Sequence, residues 1–459
     1  MNNLCPFKIP APLDPGFQPA ALSNRHYAAA AKKSGNAVPL VIGLEREGGL
    51  LSRFETIVNP NADADTLRYV ERLVKYLLWA RGGWRIHFGG PKQIGEAIRR
   101  VYSSNGGRKF DVELMSRVYD HPFEFVVTDA KSVPAEKEMN IALGGHLDGC
   151  RIGFDLGASD YKITAVKNGE VVFSDECPWN PKDQSDPQYH YNHLNAGLKN
   201  AAAHLPRVDA IGGSSAGVIV DNKIMVASLF RAVPPAQFDK AKNLFLRIRD
   251  EWKVPVAVAN DGDVTALAGT MSLNTNGMLG VALGSSQAAG YINPQGFVTG
   301  WLNELAFAPV DYDSNAADDE WSGDRGAGVL YFSQQAVNKL LPAAGINLPD
   351  EMDLPQRLME VQSLMAKGDP RAAKIYGTIG VYLGYTIPHY ADFYEFHHML
   401  ILGRVTTGMG GDIVLAKARE VMETEFPELA AKIELHIPGE KSRRVGQAVA
   451  AASLPMLRK

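Results

Sequence analysis

Cysteine is almost absent from this chain: Cys5, Cys150 and Cys177 are the only three in 459 residues. So few and so widely spaced, they make neither a disulfide framework nor a zinc cluster, and a reducing cytoplasm is the expected setting. No apolar run approaches the ~20 residues a helix needs to cross a bilayer. Residues 1–19, broken by Pro6, Pro10, Pro12 and Pro15, lack the apolar stretch of a signal peptide. Charge of either sign is hardly in excess: the net value of −4 leaves no electrostatic footprint for nucleic acid or an anionic membrane. One catalytic signature is missing too, since no G-x-x-x-x-G-K-[ST] occurs.

What remains is an ordinary globular composition, 46% hydrophobic and 21% charged, long enough for two to three folding units at roughly 100–200 residues each. Residues 1–150 suggest a mixed α/β block: a Pro-rich arm to residue 37 with a short helix around Tyr27 to Lys33, strands at 40–44, 52–58 and 84–88, and a helix over Ala64–Arg81. In that helix Leu67, Val70, Leu73, Leu77 and Leu78 recur at helical spacing. No chemistry is legible in this block, and its role is open. A new unit opens at Arg151, spanning 151–272, and a second half, 273–459, starts at Met278. Each half begins with a strand, a small-residue turn and another strand, an internal echo. The Ala-rich helix ending at Ala452 suits close packing, and could return to the first half.

Chemistry concentrates in a few places. Gly153-Phe154-Asp155-Leu156-Gly157-Ala158-Ser159, with Lys162 close behind, predicts a strand entering a tight turn beside a carboxylate, a hydroxyl and an ammonium. Such a turn can aim N–H groups at a phosphate while Asp155 holds Mg²⁺ through water, or it can be a plain hairpin. Val254 to Ala259 predicts a buried strand delivering Asn260 and Asp261 to a helix start. There a carboxylate can accept a hydroxyl proton, or the pair can simply cap the helix. Gly284-Ser285-Ser286-Gln287 through Gly290 can cradle outer phosphates or form a tight turn. The loop from Gly403 to Gly411 can admit a flat ring. Asn303 and Glu304 offer an amide and an acid to sugar hydroxyls. Glu395, His397 and His398 do not make a metal site, because adjacent strand histidines point to opposite faces.

In order along the chain, these segments resemble the ROK family of repressors and sugar kinases, over about residues 151–455. Gly153 to Ser159 stands at that family's G-x-D-x-G-G-T. Ile211 to Gly217, reaching Asp221, is similar to its sugar-side G-x-P-G-x-V-D. Val254 through Asp261 resembles P-V-x-x-x-N-D, whose Asp is the catalytic base. Gly284 to Gly290 aligns with a second phosphate motif, Asn303-Glu304-Leu305 with G-E-I-G-H, and Leu402-Gly403 with an adenosine-side G-G. Four departures stand out. Phe307 replaces a zinc-binding His, so no structural zinc is expected. Asp160-Tyr161 separates the first turn from Lys162. Ser286, Gln287 and Ala288 replace small residues of the second loop. Asp263 stands where a second Asn is common.

The resemblance implies a two-lobed actin/hexokinase-like (ribonuclease H-like) α/β fold and ATP- and Mg²⁺-dependent phosphorylation of a hexose or related sugar. It assigns Asp261 as base; Asn260, Glu304 and Ser215 to the sugar; Gly157, Ser159, Lys162, Gly284, Ser285 and Gly403 to nucleotide and phosphate; and Asp155 to Mg²⁺. The partners implied are small molecules, without nucleic acid or membrane, and assembly with copies of itself is left open. Two other functions share the fold: a sugar-binding protein that has lost catalysis, and a transcriptional repressor.

Overall fold

The computed structural model describes residues 7–139, 141–142, 144–437 and 440–457; Cys5 lies outside them. The chain forms two compact units, each assembled from separate stretches. The first takes Met1–Met139, Ala282–Ala288 and Thr299–Ile437, and the second Asn140–Val281, Ala289–Val298 and Pro438–Lys459. The division therefore differs from three consecutive segments, because the N-terminal block shares its core with residues 299–437. No helix among the described residues is long and apolar enough to cross a membrane.

In the first unit, residues 7–19 are no free arm. Phe17 is fully buried, 4.7 Å from the Tyr382 ring, and the amides of Ile9 and Leu13 donate to Tyr385 and Thr378. The helix that follows, α1 (Ala20–Ser34), is twice the expected length. Then β1 (Val38–Glu45), β2 (Leu51–Val58), α2 (Ala64–Arg81), β3 (Arg85–Gly89) and β4 (Glu124–Thr128) give a sheet ordered β2-β1-β3-β4. Asp63 caps α2 by accepting from the Thr66 amide at 2.8 Å.

The apolar stripe of α2 is buried from Val70 onward, and part of its polar side is buried as well. Lys75 is 0% exposed, its Nζ 2.6 Å from Asp111, and Arg72 pairs with Asp324 at 3.1 Å. Charges enclosed like this persist only when paired.

The second unit holds β5 (Cys150–Leu156), β6 (Asp160–Lys167), β7 (Glu170–Pro178), β8 (Ala210–Ser215) and β9 (Val256–Asn260). They form one sheet in the order β9-β8-β5-β6-β7. β5 runs parallel to β8 and β8 to β9, while β6 and β7 return antiparallel. Every residue of β5 is buried, as a central strand covered on both faces requires. The helix α3 (Asp261–Leu273) follows β9 directly.

The Ala-rich helix Glu440–Ala452 lies against β5 and β8. Its approach depends on two glycines: a Cβ on Gly153 would sit 1.8 Å from the Ala448 carbonyl oxygen, and one on Gly212 1.7 Å from that of Ala451. Gly212→Ala should therefore cost about 3 kcal/mol in urea unfolding, as overpacking against backbone does. Gly446→Ala, in the same helix with nothing within 4 Å of the new Cβ, should be neutral or stabilise by about 0.5–1 kcal/mol. Equal effects would contradict this packing.

The hairpin of β10 (Met278–Leu283) and β11 (Gln287–Ile292) carries residues of both units. Beyond it the helices are displaced from their expected limits. The expected helix over 329–341 is only Gln334–Leu340, because Ser333 caps it. The one expected over 372–385 runs as α4 (Pro370–Ala391). Strands β12 (His398–Leu402) and β13 (Glu434–His436) pair in parallel. The segment 404–411 is not an open loop: a helix starts at Met409. Gly410 and Gly411 there admit the Tyr376 ring and the Thr406 carbonyl, each within 2.6 Å of a would-be Cβ.

Candidate active site

Strand register gathers the first group of polar side chains. Asp155 on β5 is paired with Ser214 on β8 and with Lys162 on β6, so all three leave the sheet on one face. Ser214 Oγ donates to Asp155 Oδ1 at 2.7 Å. Asp155 is 8% exposed, and burial pushes its carboxyl up. The Lys162 ammonium and the Ser214 hydroxyl oppose that rise, and Asp160 adds to it.

The next strand end delivers the second carboxylate. Asn260 is the N-cap of α3: its Oδ1 accepts from the Gly262 amide at 2.7 Å, and its Nδ2 donates to the Gly217 carbonyl at 2.7 Å. The capping role thus falls to Asn260, leaving Asp261 as the first residue of the helix. Asp261 Oδ1 shares the Gly262 amide at 3.0 Å. Its carboxyl is pushed up to about 6, first by burial and then by the charge on Asp155. Some of its surface still reaches solvent. A carboxylate so placed is ionised at neutral pH yet keeps appreciable proton affinity, which suits a general base. The helix start is held by backbone contact, since Cβ atoms on Gly262 and Gly290 would lie 1.9 and 2.0 Å from Ala289 and Gly262 backbone. Gly290, expected in a phosphate loop, serves this contact.

The turn between β5 and β6 is a pinned hairpin. The Gly157 amide donates to the Asp160 carbonyl at 3.0 Å, so it is not free for phosphate. Trp179 donates from Nε1 to the Gly157 carbonyl and from its backbone to that of Ser159. Ser159 is exposed, but its hydroxyl donates to the Asp160 carboxylate at 2.8 Å. Lys162, by contrast, stands directly opposite Asp155 in spite of the intervening Asp160-Tyr161. Ser215 is fully buried and turns its hydroxyl to the Ala216 carbonyl; the serine that meets a carboxylate is its neighbour Ser214. Period-two alternation from Asp155 across the register would have found Ser214, but only once strand pairing is known.

Glu304, Gly284, Ser285 and Gly403 belong to the first unit. The amides of Leu302, Asn303 and Glu304 donate to the carbonyls of Arg81, Ala80 and Trp79, the last residues of α2. Arg81 lies 4.7 Å from the Trp301 ring, and Tyr394 donates to Asn303 Oδ1 at 3.1 Å. The N-terminal block, in which the sequence showed no chemistry, therefore holds the Glu304 segment in place. Phe307, where the resemblance expects a His, packs 4.5 Å from the Trp79 ring and offers no ligand atom. In the Gly284 turn, Ser285 and Ser286 are exposed, and the Gly284 amide donates to the Ser286 carbonyl. Gln287 turns inward to the Tyr390 hydroxyl at 2.9 Å. Gly403 has φ of 106°, and a Cβ there would meet the Leu283 carbonyl oxygen at 2.3 Å, so glycine is needed for the backbone alone.

No family model matches the sequence, and no curated protein matches it. Solved structures do. A ROK family transcriptional regulator, a homologue of the E. coli MLC protein, shares 20% identity at a TM-score of 0.55, over 67% of this chain and 79% of its own. A ROK family glucokinase from Streptomyces griseus, in complex with glucose and AMPPNP, shares 17% at 0.51, over 67% and 99%. A ROK hexokinase from Thermus thermophilus shares 16% at 0.51, over 66% and 97%. Across about two-thirds of its length, then, this chain has the ROK fold, the actin/hexokinase-like α/β architecture that its ordered motifs imply.

Proposed function

We propose that this protein is a ROK-type sugar kinase, transferring the terminal phosphoryl group of ATP to a hydroxyl of a hexose or related sugar. The observation that carries this reading is Asp261: a carboxylate at a strand's C-terminal end, raised to about 6 beside a second acid, Asp155. Two solved structures of the same fold are named as a glucokinase and a hexokinase, the former with glucose and AMPPNP. In this reading Asp261 takes the proton of the attacking hydroxyl as its bond to phosphorus forms. Asn260 and Glu304 orient the sugar, while Lys162, Ser285 and Gly403 face the nucleotide. Asp155, with one oxygen engaged by Ser214, fits a hard cation held through water, and the neighbouring Asp261 gives such a cation a further charge to offset. Mg²⁺ there would neutralise charge on the transferring group.

A second reading is favoured by one observation. Asp160 places a carboxylate at the phosphate turn and accepts the Ser159 hydroxyl, which opposes a polyphosphate and favours a sugar-binding protein without catalysis. Calorimetric titration with MgATP and with hexoses separately distinguishes the two: sugar heats without nucleotide heats support the second. Under the kinase reading, Asp160→Asn should tighten MgATP about three- to tenfold, by removing one like charge near the phosphates. Unchanged nucleotide affinity would place the phosphates elsewhere.

A further inference from the structure

We infer that His398, Glu434 and His436 form a binding site for a divalent transition metal ion of the zinc class, on the paired strands β12 and β13 of the first unit. The register pairs His398 with Glu434 and Leu400 with His436, so period-two alternation sends all three side chains to one face. His398 Nδ1 lies 3.2 Å from His436 Nε2. Glu434 Oε2 lies 3.6 Å from the first nitrogen and 3.7 Å from the second.

These separations are those of a coordination triangle. The point equidistant from the three atoms lies about 2.0 Å from each, which matches zinc–imidazole and zinc–carboxylate bond lengths of about 2.0–2.2 Å. Two imidazoles and one carboxylate select zinc, nickel or copper over magnesium or calcium, which prefer all-oxygen sets. The histidine side chains are 21% and 24% exposed and that of Glu434 72%, so an ion can enter and a fourth position stays open to water. Beside His436 and Glu434 is a groove of about 350 Å³ that Arg419 and Glu423 also line. Arg419 is turned aside there, donating to the Leu435 carbonyl at 3.2 Å.

The adjacency of His397 and His398 argued against a metal. The ligands come instead from across the strand pair, 36 and 38 residues further along the chain. Only three residue pairs join β12 to β13, and the first unit ends one residue later, at Ile437. An ion there would staple a short strand at the point where the chain leaves the unit. The inference does not depend on the kinase reading.

The test is calorimetric titration of the full-length, chelator-stripped protein with Zn²⁺ at neutral pH, paired with melting curves. One ion should bind per chain and raise the melting temperature. His398→Gln and His436→Gln should each weaken binding at least about thirtyfold, and Glu434→Gln about tenfold, as loss of a ligand does. The metal-free variants should melt with the metal-free parent, since these side chains are partly exposed. No stoichiometric binding, or equal affinity in the double histidine variant, would overturn the assignment. Should the variants misfold, Co²⁺ added to the unaltered protein decides it: intense tetrahedral-type absorption supports the site, and weak octahedral-type absorption refutes it.

Discussion

Asp261→Asn should lower phosphoryl transfer by at least about a thousandfold while leaving sugar affinity within about tenfold, because a base acts mainly in the transition state. The amide keeps the shape of the side chain and still accepts the Gly262 amide that Asp261 Oδ1 accepts, so the helix start is preserved. The same substitution should stabilise the protein. Burial and the Asp155 charge raise the Asp261 carboxyl to about 6, so the folded state binds that proton more tightly than the unfolded chain. Its contribution to stability is present below about pH 4 and is lost as pH rises through about 6. At neutral pH the ionised group is therefore a cost, and the asparagine variant should gain about 1–3 kcal/mol in urea unfolding. Turnover should run the opposite way, falling about tenfold per pH unit below 6 and levelling above it. A variant that loses activity and stability together would mean that Asp261 is structural.

Lys75→Met should destabilise the first unit by about 3–5 kcal/mol, the usual cost of stranding a buried charge. The side chains of Lys75 and Asp111 are each 1% exposed and lie 2.6 Å apart, with Trp79 Nε1 adding a bond to Asp111 at 2.7 Å. Burial already pushes the Asp111 carboxyl up, and Lys75 is the first group opposing it. Without the ammonium that carboxyl rises further, so the deficit should shrink as pH falls and Asp111 is protonated. Replacing both residues, as in Lys75→Met with Asp111→Leu, should restore part of the loss, with the Trp79 N–H left without its acceptor as the remaining cost. Under the kinase reading the effect reaches Glu304, because α2 carries Trp79, Ala80 and Arg81, whose carbonyls hold the Leu302–Glu304 amides. KM for sugar should rise in Lys75→Met while kcat changes little. An urea midpoint equal to that of the parent would contradict the buried pair.

How much of this was legible in the sequence depends on the range of the interactions. The helix Ala64–Arg81 was found at its observed limits, because its apolar stripe is a local signal. Its buried cations were not, because their partners lie at Asp111 and Asp324, far along the chain. Asp155 and Asp261 were singled out from strand-end carboxylates and ordered motifs. Ser214, which meets Asp155, was not singled out, since only the register decides which serine shares its face. The glycines of 408–411 suggested a loop, but two of them admit a tyrosine ring and a carbonyl at a helix start. His436 gave no signal, because its neighbours in the site come from another strand. The N-terminal segment with Phe17 looked like an arm because proline breaks its pattern. Its aromatic partners, Tyr331 and Tyr382, appear only in the fold.

Phosphorus NMR on the full-length protein, incubated with MgATP and a panel of hexoses and amino sugars, tests the central claim most directly. A new sugar phosphate resonance, growing as ADP forms and absent with Asp261→Asn, is the predicted result. Product formed equally fast by the variant would contradict the role of Asp261. No product from any sugar, although MgATP binds, would contradict the kinase itself.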